Sequence, residues 1–325
     1  MNRNMNELVS IIMPSYKRHR EIVSRAIDSL INQTYENIEI ILVDDNAGIE
    51  LSEYRNELEN LACKYSNIVY IQNDENQGSA KSRNIGIKVA KGNYITFLDD
   101  DDLYLSEKIE KQLQYMLHNE LDMCFTNQIL INQNKKIVDF REYRRLKNEE
   151  YKQILTYHLT RKITGTNTFM MKKSVLEQVG GFDEIDIGDE FYLMYKIIET
   201  QCKIGYFDDS NVIAYRAGQD SLTLNQNRLL YEKKLYNFIK SKFDKLTFYQ
   251  RMYVRFRYNV VKLITFKRAK MFVKMLLAVI SAFFCAPISF FIEPLRLRNN
   301  IKKVKINYKE NCDKKYLNED INNQS

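Results

Sequence analysis

The segment Asn93-Tyr-Ile-Thr-Phe-Leu-Asp-Asp-Asp-Asp-Leu-Tyr104 places four aspartates, Asp99 to Asp102, directly after a short apolar run. Such a charge run is usually a solvated loop, but the apolar residues 94–98 predict a buried strand that ends at the acids. Crowded carboxylates repel one another and are costly to desolvate, so a cation must offset their charge. Mg²⁺ and Mn²⁺ bind carboxylate oxygens and leave positions for substrate phosphates. The segment therefore predicts metal-bound phosphate at the carboxyl end of a strand, where open α/β sheets bind ligands.

The sequence on either side of this segment alternates apolar runs with amphipathic stretches of helical period. It predicts strands at 8–13, 38–43, 68–71, 94–98 and 121–126, and helices at 19–32, 50–65, 79–91 and 106–118. Elements of this size in alternation indicate an α/β fold with a doubly wound, mainly parallel sheet. After about residue 127 the pattern is weaker; it predicts a helix at 189–200 and short strands near 129–139, 167–171, 204–207 and 211–216.

The charge of this 325-residue chain is unevenly distributed. The net charge is +7, but residues 225–325 carry 22 Lys and Arg against 7 Asp and Glu, whereas residues 1–224 have more acids than bases. The basic part predicts an anionic surface as partner, and the acidic part argues against nucleic-acid binding. A hydrophobic content of 45% excludes a disordered chain. Five scattered cysteines without Cys-x-x-Cys spacing, and a polar N-terminus without signal-peptide character, predict reduced thiols in the cytoplasm.

The C-terminal part predicts basic helices over 226–274 and then a membrane-associating segment. Residues 275–292 form an uncharged stretch of 18 residues that Pro287 interrupts. A spanning helix needs roughly 20 apolar residues, with a range of about 17–25, so this stretch is at the lower limit. Lys and Arg flank it on both sides, which favours an in-plane or re-entrant anchor on an anionic cytoplasmic leaflet over a single span or a buried core helix. The pattern thus predicts a domain at 1–224 and a basic helical region at 225–325.

Polar motifs follow each of the first four predicted strands. They are Pro14-Ser-Tyr-Lys-Arg18, Asp44-Asp45-Asn46, Asn76-Gln-Gly-Ser-Ala-Lys-Ser-Arg-Asn84 and the four aspartates. Each motif alone is compatible with a turn, a loop or a helix cap. Because the carboxyl ends of parallel strands share one edge of a sheet, we expect the four motifs to converge on one crevice.

In their order and combination, these motifs resemble those of the inverting glycosyltransferases of family 2, which have a GT-A fold. The resemblance covers about residues 8–222. The matching segments are Val9–Tyr16, Ile41–Asp45, Asn76–Gly78 with Arg83 and Asn84, Gly92–Asp102, and Gly180–Asp183. It implies an enzyme that moves a sugar from a nucleotide-sugar donor with inversion at the transferred carbon.

The resemblance also implies roles on the donor side. The residues expected to hold the nucleotide are Pro14, Ser15, Tyr16 and Asp45, with Asp45 near the base, and Arg83 is expected close to the nucleotide sugar. Asp101 is expected to be the main ligand of a Mn²⁺ or Mg²⁺ cofactor, with Asp102 also near the metal and Asp99 at the ribose or a metal-bound water. A divalent cation would stabilise the charge that builds on the departing diphosphate.

For the catalytic base, which takes the proton of the acceptor hydroxyl, the family uses an acid at the start of a helix. Its usual aspartate falls on Glu190 here, and its preceding acid or amide falls on Asp189, so both are candidates. The sequence slightly favours Asp189, whose shorter side chain is more rigid, and either carboxylate can act as a base. Alternatively, both acids only favour the helix N-terminus through its dipole.

Other positions near the expected site are less directly matched. A family element near 215–220 often carries a histidine, which this chain lacks there, and Arg216 could neutralise the phosphates instead. His19, His118 and His158 are predicted at the surface, and residues 165–167 are predicted to line the acceptor side.

The sequence therefore predicts a transferase on the inner face of the cell membrane that acts on a lipid-linked or polysaccharide acceptor in cell-surface glycan synthesis. A sugar-phosphate nucleotidyltransferase usually needs a glycine-rich loop after the first strand, and Pro14–Arg18 has no glycine. A phosphoacceptor receiver domain needs its acid pair after the first strand, whereas the pair here follows the second. A degenerate transferase that serves as a non-catalytic scaffold is disfavoured because all the expected metal-site acids are intact.

Overall fold

A computed structural model describes residues 6–311 except 133, 147–148, 186–187 and 217–227. Over these residues the predicted alternation of strands and helices is confirmed. The strands are β1 (Val9–Ser15), β2 (Ile38–Asp44), β3 (Ile68–Gln72), β4 (Tyr94–Phe97), β5 (Leu103–Tyr104), β6 (Met123–Phe125), β7 (Gln128–Ile131), β8 (Ile137–Arg141), β9 (Phe169–Lys172), β10 (Ile204–Tyr206) and β11 (Val212–Tyr215). The helices are α1 (Arg20–Ile31), α2 (Ser52–Ala62), α3 (Gly78–Val89), α4 (Lys108–His118), α5 (Tyr151–Arg161), α6 (Lys173–Val179), α7 (Asp189–Glu199), α8 (Arg228–Lys240), α9 (Phe248–Arg268), α10 (Phe272–Cys285) and α11 (Pro287–Asn311). The sequence pattern does not predict α5, α6 or the two-residue β5.

The strands form one large sheet and one small sheet. The large sheet has seven strands in the order β10-β6-β9-β4-β1-β2-β3. Neighbouring strands are parallel except around β9, which runs antiparallel between β4 and β6. The fold is therefore of the predicted α/β class with a mainly parallel sheet. The small sheet, in the order β5-β11-β7-β8, joins the strand that follows the acids to strands from later in the domain.

Helices cover both faces of the large sheet, as a doubly wound fold requires. Alternate residues of β1 enter different cores. Ile12 packs with residues of α3, α5 and α7, whereas Ile11 and Met13 pack with residues of α1, α2 and α4. This double burial specifies the register of the central strands, because a shift by one residue would exchange the two faces. The carboxyl ends of β1 and β2 are consequently level, with Ser15 opposite Asp44.

The C-terminal region is helical, as predicted. Leu235 and Ile239 of α8 and Val254 of α9 belong to the same core as α7. In α10 the buried residues are Ala278 and Ala282, and most of the large apolar side chains are exposed. Within the described residues, no single helix is long and apolar enough to cross a membrane, although α10 and the following part of α11 pass that test together as a pair bent by 102°. The boundary predicted at 224–225 falls outside the described residues.

A fully buried lysine supports the strand that leads into the acids. Lys108 of α4 donates from Nζ to Thr96 Oγ1 of β4 at 2.7 Å, and Nζ lies 3.9 Å from the centre of the Tyr104 ring. The Tyr104 hydroxyl in turn contacts the carbonyl oxygens of Phe97 and Asn167, at 2.5 and 2.8 Å. Burial lowers the pKa of Lys108 well below its usual value, so folding favours the neutral amine.

We expect Lys108→Met to stabilise the protein by an amount that depends on pH. The unfolded chain protonates this amine below about pH 10.4, whereas the folded protein disfavours the charged form, so the wild type loses about 1.4 kcal/mol of stability for each pH unit below that value, until the folded amine also protonates. The advantage of the variant in free energy of unfolding should therefore grow between about pH 9 and about pH 7 in urea titrations. Lys111→Met, at a partly exposed position of α4, is the control and should show no such growth. An advantage for Lys108→Met that stays constant with pH would mean that the amine is charged in the fold.

Candidate active site

Hydrogen bonds join the motifs at the carboxyl ends of the strands. Ser15 Oγ, at the end of β1, donates to Asp100 Oδ2 at 2.8 Å and so connects the first motif with the acidic run. Asp45, after β2, accepts from the backbone amides of Gln77 and Gly78 at 2.8 and 2.9 Å and so connects the second motif with the third. The predicted convergence of the strand-end motifs on one crevice is therefore present in the structure.

Asp45 anchors the loop that leads into α3. Its side chain is buried, and Oδ1 also accepts from Asn73 Nδ2 at 2.8 Å. Gly78, which the carboxylate holds, has a φ of +75°, a conformation that residues with a side chain rarely adopt. Asp45 thus shapes the loop beside which a nucleotide is expected. Of the other residues expected there, Pro14 is half-buried and Tyr16 is exposed.

Arg18 neutralises the middle of the acidic run. Its Nε lies 3.0 Å from Asp100 Oδ1, and its Nη2 lies 3.0 Å from Asp101 Oδ2. Burial raises the pKa of Asp101 to about 6; Arg18 opposes this effect, and the charges of Asp100 and Asp99 add to it. Burial likewise raises the pKa of Asp100. The acids are thus crowded enough to hold protons that isolated aspartates would release.

Asp102, the last acid of the run, is buried and 4% exposed. Its Oδ2 accepts from Asn167 Nδ2 at 2.5 Å, and its Oδ1 accepts from the Tyr215 backbone amide at 2.9 Å. Burial, together with the charges of Asp101 and Asp99, raises its pKa well above the usual value. Asn167, from the segment predicted to line the acceptor side, therefore contacts the acidic run directly.

Arg83 connects the acidic run with the two candidate bases. Its Nη2 lies 2.7 Å from Asp99 Oδ1, and its Nη1 lies 2.8 Å from Asp189 Oδ2. The guanidinium is buried, as is Asp189, whereas the Asp99 side chain is 39% exposed. One cation thus joins the residues expected on the donor side to those expected on the acceptor side.

Glu190 has the chemical character of a base that works near neutral pH. Burial raises the pKa of Glu190 to about 7, and the charge of Asp189 and a hydrogen bond with it act in the same direction. Arg83 opposes the shift only weakly, because it pairs with Asp189 rather than with Glu190. The preceding residue, Gly188, has a φ of +82°, and a Cβ there would overlap the Tyr231 hydroxyl of α8, so the turn into α7 is closely packed.

For Arg216 the predicted role stays open, whereas for His158 the predicted position differs from the structure. Arg216 is exposed at the end of β11, where its backbone amide donates to the Ile131 carbonyl at 2.7 Å; its proposed contact with phosphates stays a prediction. The surface position predicted for His158 is wrong. Its ring is fully buried, stacks on Phe191 at 4.2 Å and contacts the Phe191 carbonyl through Nε2 at 3.0 Å, so it fastens α5 to α7.

The residues of the crevice fit a divalent metal that arrives with its phosphate ligand. Among the described residues, no group of three or more His, Cys, Asp or Glu side chains is arranged to hold a metal ion alone. Mg²⁺, however, usually takes only one or two carboxylates and completes its shell with water and substrate phosphates. The acidic run supplies carboxylate oxygens, which are the donors that Mg²⁺ and Mn²⁺ prefer. Burial and then the charges of neighbouring carboxylates raise the pKa values of Asp101 and Asp102, and a bound cation would oppose both effects.

Two further residues hold the acids of the crevice: Arg18 contacts Asp100, and Asn73 contacts Asp45. Arg18 ends the first strand-end motif but was given no role there, and Asn73 follows the third strand just before the motif that begins at Asn76. The contact between Asn167 and Asp102 has no local signal.

Comparison with known proteins was consistent with this geometry. The sequence family described as Glycosyl transferase family 2 matches residues 10–180. An uncharacterized glycosyltransferase of Haemophilus influenzae is 43% identical over 120 residues, which are 37% of this chain and 46% of that protein. The Escherichia coli UDP-Glc:alpha-D-GlcNAc-diphosphoundecaprenol beta-1,3-glucosyltransferase WfgD is 37% identical over 133 residues, which are 41% of this chain and 50% of that protein. The chain thus spans about half the length of these two relatives.

The fold is also similar to that of a solved structure. S. aureus TarS, residues 1–349 in complex with UDP-GlcNAc, matches with a TM-score of 0.53 and 15% sequence identity, over 85% of this chain and 91% of that one. At this identity the likeness concerns the fold alone. The family match covers more than half of the chain and includes the strand-end motifs and the acidic run. The chain belongs to glycosyltransferase family 2.

Proposed function

We propose that this protein is an inverting glycosyltransferase of cell-surface glycan synthesis, which moves a sugar from a nucleotide-sugar donor to a lipid-linked or polysaccharide acceptor. The observation that carries this proposal is the Arg83 bridge, which holds the donor-side Asp99 and the acceptor-side Asp189 in one crevice. The name of WfgD, with a UDP-Glc donor and a GlcNAc-diphosphoundecaprenol acceptor, supports both substrate classes. The likeness in fold to TarS, crystallised with UDP-GlcNAc, supports the donor class.

Mn²⁺ or Mg²⁺ is the proposed cofactor. Asp101 is its main protein ligand, because this carboxylate is 21% exposed and pairs with the partly exposed Arg18 at 3.0 Å, which leaves it accessible to a cation. Asp102 lies beside it, but both its oxygens already accept hydrogen bonds, so it steadies the acidic run more than it binds metal. When bound, the metal supplies Lewis-acid stabilisation of the negative charge on the departing diphosphate.

Glu190 is the proposed catalytic base, in preference to Asp189, which the shorter side chain favoured in the sequence. Arg83 Nη1 lies 2.8 Å from Asp189 Oδ2, so this carboxylate is engaged by a cation and is less available to an acceptor hydroxyl. Glu190, with a pKa raised to about 7, is matched to the neutral pH at which a general base works best. It accepts the proton of the acceptor hydroxyl while the hydroxyl oxygen attacks the sugar carbon from the face opposite the nucleotide. The bond from that carbon to the diphosphate oxygen breaks, the nucleoside diphosphate leaves with the electron pair, and the carbon is inverted.

The proposed location is the inner face of the cell membrane. The exposed apolar face of the C-terminal region, hereafter the apolar face, is formed by α10 and the first two turns of α11. It includes Phe272, Phe284 and Phe291, which are 69%, 74% and 63% exposed. An exposed apolar surface of this kind marks an interaction site, and Lys and Arg at both of its ends favour an anionic lipid surface. The bend of 102° between the helices suits a segment that enters one leaflet and returns.

We expect metal-dependent donor binding that requires Asp101. A calorimetric panel of UDP-sugars, beginning with UDP-glucose and UDP-GlcNAc, should give one donor whose Kd falls at least about tenfold with Mn²⁺, because the cation offsets repulsion between carboxylates and diphosphate. Asp101→Asn should abolish the effect of Mn²⁺, and Asp244→Asn, at an exposed site in the C-terminal region, should preserve it. Equal Mn²⁺ dependence in both variants would remove Asp101 as the metal ligand.

We expect Glu190→Gln to lower kcat for transfer from that donor by about 100-fold or more, the usual contribution of a general base. In the wild type, kcat should fall as the pH drops below about 7, because protonated Glu190 cannot accept a proton; the variant should lose this limb of the profile. Release of UDP is the readout. Glu184→Gln, at a nearby exposed acid, is the control. If Asp189→Asn abolishes the limb and Glu190→Gln keeps it, the base is Asp189.

We expect the apolar face to determine membrane association. Phe272→Ser with Phe284→Ser should weaken sedimentation with phosphatidylcholine–phosphatidylglycerol vesicles at least about tenfold, since burying each phenylalanine contributes about 1.5–3 kcal/mol. The control is Ile49→Ser with Val89→Ser, two exposed apolar residues outside the C-terminal region. Wild-type sedimentation of the phenylalanine variant would exclude this face as the membrane contact.

A further inference from the structure

Two adjoining cavities lie beside the apolar face, outside the crevice described above. The first, of about 660 Å³, is lined by residues of α5, α9 and α11. The second, of about 500 Å³, lies between α5, the turn at 142–145 and α11. Both are lined by Arg145 and Tyr157, so together they form one groove, hereafter the arginine groove.

The arginine groove carries a surplus of positive charge. Its lining residues include five cations, Arg144, Arg145, Lys152, Arg161 and Arg296, against two acids, Glu142 and Glu149. Glu293 offsets part of this charge, since it lies 3.0 Å from Arg161 and 4.0 Å from Arg296. Arg145 is exposed and forms no ion pair with any acid in the part of the chain that the structure describes. The groove is therefore open to a multiply charged anion.

The groove is continuous with the apolar face. Ile292 and Leu295 line the second cavity, are 52% and 60% exposed, and belong to the same helix as Phe291 of the apolar face. A ligand that combines a charged head with an apolar chain could occupy the groove and the face together. A free nucleotide or a soluble glycan would leave the apolar part uncovered.

The groove also adjoins the helix that carries the proposed base. Thr156 and Thr160 of α5 line the groove, whereas His158 of the same helix stacks on Phe191 in α7. The groove and the start of α7 are therefore separated by about the width of one helix, roughly 10 Å. Lys162, directly after α5, pairs with Glu232 at 3.0 Å, and the negative charge of Glu190 also stabilises its ammonium form. A head group in the groove would thus leave an attached sugar close to the catalytic side of α5.

We propose that the arginine groove binds the diphosphate of a lipid-linked acceptor, with the lipid chain along the apolar face. This inference rests on the proposed function and specifies the acceptor as a lipid diphosphate. Several guanidinium groups match a diphosphate because each forms paired hydrogen bonds to phosphate oxygens. A lipid with a single phosphate charge would use only part of this surplus.

The test is vesicle binding without donor or turnover. Phosphatidylcholine vesicles carry either a few mole per cent of undecaprenyl diphosphate or phosphatidylglycerol at a fraction that gives equal total charge. The wild type should bind the diphosphate vesicles at least about tenfold more tightly, the usual effect of one or two charge-assisted hydrogen bonds. Arg145→Gln with Arg296→Gln should remove this preference. The control, Lys270→Gln with Lys274→Gln, changes flanking lysines outside the groove and should weaken binding to both vesicle types alike.

The outcomes separate this inference from the proposed function. Equal binding of the wild type to both vesicle types, or a preference that survives in the arginine variant, would overturn the inference while leaving the donor titration valid. A retained diphosphate preference in a protein that binds no nucleotide sugar would leave the groove as a lipid-diphosphate site and overturn the transferase. Thermal unfolding of the arginine variant within a few degrees of the wild type shows that lost preference is not lost folding.

Discussion

The site depends on one buried guanidinium that neutralises carboxylates from two distant parts of the chain. Arg83 comes from α3, whereas Asp99 follows β4 and Asp189 begins α7. Removing one partner of a buried ion pair costs about 3–5 kcal/mol, which applies to Arg83 and Asp189, whereas the pair with the partly exposed Asp99 contributes less. The pairs that Arg83 forms with Asp99 and Asp189 therefore also set the separation between the acidic run and the base at the start of α7. The Nε of Arg83 is buried with no hydrogen-bond partner among the described residues. Arg83 therefore has a further N–H donor besides those that contact the two acids.

The remaining charges explain why the crevice suits a cation. Six carboxylates, Asp99 to Asp102 with Asp189 and Glu190, surround two guanidinium groups, those of Arg18 and Arg83. Burial and repulsion between neighbouring carboxylates raise the pKa values of Asp101, Asp102 and Glu190. A diphosphate bound without a cation would add further negative charge to this excess of carboxylates. A divalent ion bound at the acidic run would offset part of this negative charge next to the diphosphate, which links the proposed metal to the donor it accompanies.

The local sequence pattern predicts the strands, the helices and the edge of the sheet where the site lies. It does not predict the side-chain contacts that hold the site together. Strand and helix periods, together with chain order, predict the parallel sheet and the convergence of the strand-end motifs. The bonds of Asp102 to Asn167 and of Arg83 to Asp189 join residues 65 and 106 positions apart, and no local pattern encodes them. His158 was placed at the surface because α5, with weak amphipathic character, was not recognised as a helix packed on α7.

The C-terminal helices matter to the chemistry because they belong to the same packed unit as the base. Leu235 and Ile239 of α8 share a core with α7, and Tyr231 lies so close to Gly188 that only glycine fits at the turn into α7. From there α9 leads directly to α10, which buries Ala278 and Ala282 and exposes its phenylalanines. The apolar face is therefore held in a defined position relative to Glu190 by packed helices rather than by a linker. An enzyme that must meet a lipid-borne hydroxyl at a fixed depth above a membrane needs this rigidity, since misplacement of a reacting group by about 1 Å can cost about 100-fold in rate.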